Sequence, residues 1–184
     1  FANSINSKSV NFENYDVAII IGSGNEEFQK RIKKYISDGG SIVLFPQSKM
    51  DFVDENRLLS ALGISKFSKS IESSNGTGIN SFDKVDFSHP IFDDLCNEDG
   101  KEIESPKIYK YNKLEPNGLG RSIISLQDNS SFLSEYRLEN GKVLLFNVHP
   151  NLEWSDFPVK NIFAPLLNRA ISYIISNNTP NTKY

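Results

Sequence analysis

Two short apolar runs, separated by one amphipathic segment, constrain the fold of this chain more than any other feature. The runs "YDVAIII" (15–21) and "SIVLF" (41–45) have the length and the composition of strands that are covered on both faces. In the segment between them, Phe28, Ile32 and Tyr35 recur at helical spacing, and a Gly-Gly pair ends the segment. Strand, helix and strand in this order predict a right-handed βαβ unit, so we assign the chain to the α/β class.

The residues that follow predict a second helix and then a loop. In "DENRLLSALGI" (54–64), Leu58, Leu59 and Leu62 recur on one helical face, which predicts that they are buried. The stretch 65–81 is rich in Ser, Asn and Gly, and it predicts a mobile or irregular loop.

The C-terminal half predicts antiparallel strands followed by a helix. Apolar residues partly alternate in "IESPKIYKYNKL", "GRSIISLQ", "SFLSEYRL" and "GKVLLFNV", and turn-forming residues separate these segments. The last separator, "ENG", is typical of a hairpin. The segment "VKNIFAPLLNRAISYIIS" carries one broad apolar stripe, so we expect a helix packed on the sheet, with Pro165 either kinking it or delaying its start.

Length and composition fit one globular domain. For these 184 residues we predict a single domain over 1–176, in which residues 1–14 form a partial strand or a linker, followed by a polar tail at 177–184.

The net charge of −3 argues against nucleic acid as a partner, because it supplies no broad basic field. No apolar run approaches the roughly 18 residues of a membrane span, so we expect no direct membrane insertion by this segment. The start at Phe1 and the polar tail suggest a segment of a longer protein.

The residues that most often bind metals or attack substrates are few. Cys96 is the only cysteine, which excludes an internal disulfide, and the acidic residues around it favour an incidental thiol over a nucleophile. His89 and His149 lie far apart and outside any zinc-ligand spacing, so we expect no metal and no cofactor. Because His89 precedes a proline, we expect it to anchor a loop through side-chain hydrogen bonds.

The order of these elements, together with several phrases, resembles a known family. The phrases "YDVAIIIGSG" and "EEFQKRIKKYISDGGSIVLFP" resemble the strand, helix and glycine-turn region of class I glutamine amidotransferase-like domains. The phrases "HPIFDDL", "ESPKIYKY", "GKVLLFNV" and "EWSDFPVKNIFAPLLNRAISYII" are similar to a narrower group, the amidotransferase-like domains of bacterial membrane proteins that begin with a BatA-type aerotolerance region. The similarity covers most of residues 15–176.

The resemblance implies an α/β fold of the flavodoxin-like, three-layer sandwich type. Its sheet would be mainly parallel, with antiparallel strands in the C-terminal half. It also implies a soluble domain of a larger, membrane-anchored bacterial protein, for which we slightly favour an extracytoplasmic position. The partners would then be other domains of the same membrane protein or a separate protein.

The nucleophile of this family is missing from the position where the resemblance places it. In the enzymes a cysteine follows the strand that matches "SIVLF", whereas this chain has Pro46, Gln47 and Ser48 there. Ser48 is a vestigial candidate, but a nucleophile turn needs small residues and the neighbours of Ser48 are bulky. The sequence therefore favours a domain without catalytic activity.

A histidine does stand at the position of the family's catalytic base. His149-Pro150 follows a late strand, but Asn151 occupies the place of the glutamate that orients the imidazole in the enzymes. Glu153 and Asp156 lie close enough in sequence to take over that role. Two hypotheses follow: a non-catalytic interaction or ligand-sensing module, which we prefer, and a hydrolase or amidotransferase with a relocated nucleophile that uses His149 as base.

The residues around His149 also predict where a ligand or partner binds. Open α/β sheets bind their ligands at the carboxyl ends of the strands. Trp154 and Phe157 follow one such end, where they either form an exposed recognition patch or cap the core beneath a loop. The predicted patch consists of Pro46, Gln47, His149, Asn151, Trp154 and Phe157.

Overall fold

The computed structural model describes residues 11–49, 52–74, 78–93, 95, 103–115, 120–138 and 140–176. Short 3-10 turns at Phe12–Asn14, Pro90–Phe92 and Phe157–Val159 connect the longer elements. The helices within these ranges are α1 (Glu26–Ser37), α2 (Phe52–Ala61) and α3 (Phe163–Ser176). The strands within them are β1 (Val17–Ile21), β2 (Ser41–Phe45), β3 (Phe67–Glu72), β4 (Phe82–Val85), β5 (Lys110–Leu114), β6 (Arg121–Leu126), β7 (Ser131–Leu138) and β8 (Gly141–Phe146).

A six-stranded mixed sheet forms the middle layer. Its strand order is β1-β2-β8-β7-β6-β4, and β3 pairs with β5 in a separate two-stranded sheet. β1, β2 and β8 are parallel, whereas β8-β7, β7-β6 and β6-β4 pair antiparallel. Helices α1 and α2 pack on one face of the large sheet, and α3 packs on the other. The α/β class and the three layers are confirmed, and the parallel part consists of the three strands at one edge.

The βαβ unit forms as the sequence predicts. β1 and β2 pair in parallel, with Ile21 opposite Phe45. Asn25 caps α1, since its Oδ1 accepts a hydrogen bond from the amide of Phe28 at 2.9 Å. Ile32 of α1 is fully buried against the sheet. The unit therefore places the carboxyl ends of β1 and β2 side by side.

β8 occupies the centre of the sheet, between parallel β2 and antiparallel β7. All its residues except Lys142 are buried, which matches the continuous apolar run of the sequence. The ring of Phe146 stacks on that of Phe45 with centroids 4.4 Å apart. The predicted hairpin at "ENG" is confirmed, since Leu138 pairs with Gly141. β8 therefore ends at the same sheet edge as β1 and β2.

The stretch 65–81, predicted as a loop, contains β3 and needs a correction. β3 pairs antiparallel with β5 over Phe67–Glu72, so the segment gains a ladder of backbone hydrogen bonds from a distant part of the chain. The side chain of Asn56 fixes its start, because Nδ2 donates to the Phe67 carbonyl at 2.9 Å and Oδ1 accepts from the Phe67 amide at 2.8 Å. Polar composition therefore did not exclude a strand here.

The two remaining helices differ from the prediction mainly at their ends. α2 begins at Phe52 rather than at residue 54 and ends at Ala61, while the predicted burial of Leu58, Leu59 and Leu62 is confirmed. Pro165 lies in the first turn of α3, where its missing amide proton costs no helical hydrogen bond, so the delayed start is confirmed. No helix of the described residues is long and apolar enough to cross a bilayer. Of the predicted linker and tail, residues 1–10 and 177–184 lie outside the described residues.

Candidate functional site

Three loops meet at the carboxyl ends of the parallel strands. Residues 22–25 follow β1, residues 46–49 follow β2, and residues 147–152 follow β8. The amide of Gly22 donates to the Phe45 carbonyl at 2.8 Å, which continues the β1-β2 ladder into the first loop. Because open α/β sheets bind ligands at this edge, we call these three loops the strand-end site.

His149 lies in the third loop and is oriented by a backbone carbonyl. Its Nδ1 lies 2.8 Å from the carbonyl oxygen of Pro46. A carbonyl only accepts hydrogen bonds, so Nδ1 carries the proton of the neutral ring and Nε2 is its basic nitrogen. The half-buried imidazole lies 6.2 Å from the Trp154 ring, centroid to centroid. The arrangement therefore supplies an oriented base that needs no carboxylate.

A nucleophile for this base is missing from the described part of the site. The hydroxyl of Ser48 accepts a hydrogen bond from Nδ2 of Asn151 at 3.3 Å. Within the described ranges, no serine, threonine or cysteine side chain is hydrogen-bonded to the imidazole of His149. Cys96 lies outside the described residues. Since a hydroxyl or thiol must transfer its proton to the base as it attacks, the observed contacts do not assemble a catalytic pair.

The two carboxylates that could replace the family's glutamate do not orient His149. Glu153 is exposed and, among the described residues, makes no hydrogen bond or ion pair. Asp156 is used elsewhere, since its Oδ1 accepts from the Lys107 amide at 2.7 Å and its Oδ2 lies 3.7 Å from Nζ of Lys160. Closeness in sequence therefore does not bring either carboxylate to the imidazole, and the Pro46 carbonyl is the partner of Nδ1.

A buried glutamate supports the second loop, and sequence reasoning missed it. Glu55 of α2 is only 1% exposed, and its Oε1 accepts a hydrogen bond from the Gln47 amide at 3.1 Å. Burial raises the pKa of Glu55 to about 7, although the hydrogen bond from Gln47 opposes this shift. A sequence signal did exist, because Glu55 precedes Leu58 and Leu59 by three and four positions and so lies on the apolar face of α2.

Replacing Glu55 with glutamine is expected to remove a pH dependence of stability. The pKa of Glu55 is about 7 in the folded state against an ordinary value of 4.5, so between these pH values the folded state holds a proton that the unfolded state releases. The free energy of unfolding of the wild type therefore falls as pH rises from 4.5 to about 7, and this loss persists above pH 7. Glutamine stays neutral and still accepts from the Gln47 amide, so Glu55→Gln should be more stable than wild type above pH 7, by about 1–3 kcal/mol.

Urea unfolding, followed by the fluorescence of Trp154, measures this difference, because Trp154 is the single tryptophan and is buried. Glu72→Gln is the matched control: Glu72 is exposed on β3 and the variant keeps Glu55, so it should retain the pH profile of the wild type. Equal pH profiles for wild type and Glu55→Gln would contradict the raised pKa.

The aromatic part of the predicted patch is buried, which corrects the exposed arrangement. Trp154 and Phe157 are each 1% exposed and belong to the core between the sheet and α3. The Trp154 carbonyl accepts hydrogen bonds from the amides of Tyr109 and Lys110 at 2.8 and 2.9 Å. These two aromatic residues therefore cap the core beneath the loop. The other four members of the patch, Pro46, Gln47, His149 and Asn151, lie in the strand-end site.

His89 lies apart from the strand-end site and anchors a loop as expected. Its Nδ1 accepts a hydrogen bond from the Ile91 amide at 3.2 Å, and its Nε2 lies 3.4 Å from Oε2 of Glu135 in the core. The Nδ1 bond leaves the proton of the neutral ring on Nε2, which donates to Glu135. In the described part of the chain, no three His, Cys, Asp or Glu residues cluster as metal ligands would.

The fold and the site together define a class of protein. A parallel β1-β2-β8 edge, an antiparallel extension and helices on both faces make this a three-layer α/β domain, the fold that the resemblance to class I glutamine amidotransferase-like domains implies. At the carboxyl ends of its parallel strands, His149 is hydrogen-bonded to a backbone carbonyl, and no hydroxyl or thiol of the described residues is hydrogen-bonded to its ring.

Comparisons with solved structures give the same fold. The cytoplasmic protein STM3548 from Salmonella typhimurium matches with a TM-score of 0.69 and 14% identity, over 91% of this chain and 77% of that one. A ThuA-like protein from Bacteroides uniformis matches with a TM-score of 0.60 and 13% identity, over 90% and 75%. The β-galactosidase from Rahnella sp. R3 matches with a TM-score of 0.65 and 12% identity, over 92% of this chain and 24% of the enzyme. Neither protein-family models nor curated proteins give a match.

Proposed function

We propose that this domain is a non-catalytic, amidotransferase-like module that binds a ligand or a protein partner at the strand-end site. The observation that carries the proposal is the hydrogen bond between Nδ1 of His149 and the Pro46 carbonyl. It holds the imidazole in one orientation although no hydroxyl or thiol of the described residues is hydrogen-bonded to the ring. An oriented side chain without a reaction partner is suited to recognition rather than to bond cleavage.

The groups around His149 define what the site can recognise. Nε2 of His149 is an acceptor in the neutral ring, and the amide side chain of Gln47 offers two donors and an acceptor. The Asn151 amide offers less, because its Nδ2 already donates to the Ser48 hydroxyl and its Oδ1 accepts from the Trp154 amide. All three side chains are half-buried at the ends of central strands, so a bound group loses only part of its contact with water. We therefore expect a polar, hydrogen-bonding ligand or a polar segment of a partner protein.

The same proposal includes the kind of protein to which this domain belongs. The phrases shared with amidotransferase-like domains of BatA-type proteins support a place in a larger, membrane-anchored bacterial protein, with an extracytoplasmic position favoured. The β-galactosidase comparison supports a modular use of the fold, because the match covers only 24% of that enzyme. Other domains of the same protein, or a separate protein, are then the partners.

A second candidate, a hydrolase or amidotransferase that uses His149 as base, is favoured by one observation. The Nδ1 hydrogen bond leaves Nε2 as the basic nitrogen, which is the orientation that a general base needs. Activity would then require a nucleophile that reaches Nε2 only when substrate is bound.

Turnover assays with purified protein separate the two candidates. We expect no release of ammonia from L-glutamine and no hydrolysis of an activated ester above the buffer rate, and no difference between wild type and His149→Ala. Ester or amide turnover that disappears in His149→Ala, while the variant keeps the wild-type unfolding curve, would establish the hydrolase instead. Glu153→Ala is the matched control, because Glu153 is exposed in the same loop region and does not contact the imidazole.

A further inference from the structure

The hydrogen bond to Pro46 leaves His149 with one ring nitrogen for a ligand. Nδ1 of His149 lies 2.8 Å from the Pro46 carbonyl oxygen, which cannot donate, so Nδ1 keeps its hydrogen whether the ring is neutral or protonated. Among the described residues, Nε2 has no hydrogen-bond partner and the ring forms no ion pair. A change in the charge of the ring therefore adds or removes the hydrogen on Nε2.

The charge of the ring decides which chemical group Nε2 can bind. In the neutral ring Nε2 is an acceptor, so its ligand must supply an N–H or O–H group. In the protonated ring Nε2 is a donor on a cation, so it repels a second donor and attracts an anion such as a carboxylate or a sulfonate. Imidazole side chains change charge in the range of about pH 5 to 8, so a mild change in pH converts one state into the other.

We propose that the ligand of the strand-end site presents an uncharged N–H or O–H donor to Nε2 of His149, and that protonation of the ring releases the ligand. This ligand class and this release step rest on the proposed function, because both require binding at the strand-end site. Gln47 fits the same chemistry, since its side-chain amide makes no hydrogen bond within the described part of the chain and can bind a second polar atom of the ligand. A carboxylate, in contrast, has no hydrogen to donate to neutral Nε2.

The charged groups next to the ring, among the described residues, do not pair with it, but one of them titrates in the same pH range. Lys49 and Glu153, in the neighbouring loops, are exposed and form no ion pair with the ring. Asp156 is held by other groups. Glu55 lies beneath the second loop, and its pKa of about 7 means that it changes charge where imidazoles do. Asp51 lies outside the described residues. A test must therefore separate the protonation of the ring from that of Glu55.

Nitrogen-15 NMR shows which ring nitrogen carries the hydrogen, and it needs no ligand. The chain has two histidines, for which the structure predicts opposite neutral tautomers. At pH 8, His149 should carry its hydrogen on Nδ1, whereas His89 should carry it on Nε2, because Nδ1 of His89 accepts from the Ile91 amide. A neutral His149 with its hydrogen on Nε2 would overturn the proposed ligand class, even if the site binds a ligand.

Two probes of nearly equal shape test the chemistry of the ligand. Methanesulfonamide offers N–H donors and stays uncharged between pH 5 and 8, whereas methanesulfonate has only acceptors and a negative charge. Chemical shifts of the backbone amides in the three loops give the affinity for each probe. At pH 8 methanesulfonate should bind at least about tenfold more weakly, because it leaves neutral Nε2 unpaired. As the ring becomes protonated, the affinity for methanesulfonamide should fall by up to about tenfold per pH unit.

The outcomes of this titration distinguish the ligand class from the proposed function. Equal affinities of the two probes at pH 8 would overturn the ligand class, although binding at the site would then be established. No shift with either probe would overturn both the ligand class and the binding of small ligands at the site. A capped Gly-Gln-Gly peptide carries a primary amide on a chain. Tighter binding of this peptide than of methanesulfonamide would assign the donor to a partner protein, and weaker binding would assign it to a small molecule.

Two glutamine variants assign the pH dependence of binding to one group. In His149→Gln the side-chain amide can still donate to the Pro46 carbonyl and accept from a ligand, but it does not titrate. The pH dependence of methanesulfonamide binding should therefore disappear in this variant. It should persist in Glu55→Gln, whatever the absolute affinity, because His149 is unchanged there. Circular dichroism checks that both variants are folded. A pH dependence that survives in His149→Gln, or one that is lost in Glu55→Gln, overturns the protonation of His149 as the release step.

Discussion

Replacing Gly141 with alanine is expected to destabilise the protein by about 3 kcal/mol or more. Gly141 begins β8, and a Cβ added there would lie 2.1 Å from the carbonyl oxygen of Gly40 and 2.8 Å from that of Ile36. Both atoms belong to backbone at the end of α1 and the start of β2, so no rotation of a side chain relieves the clash. Either β8 shifts against β2 or the α1-β2 turn moves.

The measurement is urea unfolding followed by Trp154 fluorescence. Gly63→Ala is the control, because a Cβ at Gly63 meets nothing within 4 Å, although the backbone there has φ +72°. We expect that control to cost about 1–2 kcal/mol, the penalty for a left-handed conformation with a Cβ. A Gly141→Ala variant no less stable than Gly63→Ala would show that β8 and the α1-β2 turn separate easily.

Replacing Glu135 with alanine is expected to destabilise the protein by about 2–5 kcal/mol, because two buried donors lose their acceptor and each unsatisfied buried donor costs about 1–3 kcal/mol. Glu135 of β7 is buried on the α3 face. The Tyr173 hydroxyl donates to its Oε1 at 2.6 Å, and Nε2 of His89 lies 3.4 Å from its Oε2. Nζ of Lys142 lies 4.0 Å from Oε1 and 4.2 Å above the Tyr173 ring. Without the carboxylate, these buried donors lose their acceptor.

The pH dependence of stability distinguishes the contribution of the Glu135 charge from that of its side-chain packing. Burial alone would raise the pKa of Glu135, but the hydrogen bonds from His89 and Tyr173, with the charge of Arg137, lower it to about 2. The pKa is thus below its ordinary value of 4.5, so this stabilisation is complete above pH 4.5 and is lost as pH falls toward 2.

Glu135→Gln should therefore lose less stability than wild type on acidification. It should not become insensitive to acid, because the pKa of Asp128 is also lowered, to about 2. Glu104→Gln is the control, since it removes an exposed ion pair with Lys160, which water screens, and it should leave the stability nearly unchanged. An unchanged acid slope in Glu135→Gln would contradict the low pKa.

The parts of the fold that the sequence predicts are those whose signal is local. The runs that became β1, β2 and β8 are continuous and apolar, so strands could be inferred without knowing their partners, and the predicted burial on both faces is confirmed for β2 and β8. For β1 that prediction is wrong among the described residues, because Ile19 and Ile21 are 47% and 56% exposed. β3 was missed for the opposite reason. Its exposed Ser68 and Lys69 resemble a loop, and its stability comes from pairing with β5, a contact that local composition does not contain.

The candidate site was predictable in position and less so in chemistry. The order of elements places His149 at the carboxyl end of β8, and the structure brings it to Pro46 as the resemblance implies. The burial of Trp154 and the role of Glu55 depend on which way a loop and a helix face the sheet. The sequence pattern does not decide which way the loop that carries Trp154 faces. The burial of Glu55 could have been predicted, because Glu55 lies on the apolar face of α2.

Two hydrogen bonds connect the loops of the strand-end site across neighbouring strands, and this affects how fast a ligand can bind. The His149-Pro46 and Asn151-Ser48 hydrogen bonds tie the loop after β8 to the loop after β2, and Glu55 holds the Gln47 amide from below. Loops held this way already have one conformation before a ligand binds, so little ordering entropy opposes binding. If a ligand binds at this site as proposed, the observed association rate should rise in proportion to the ligand concentration. It should not level off at high concentration, as it would if a slow rearrangement of the loops limited binding.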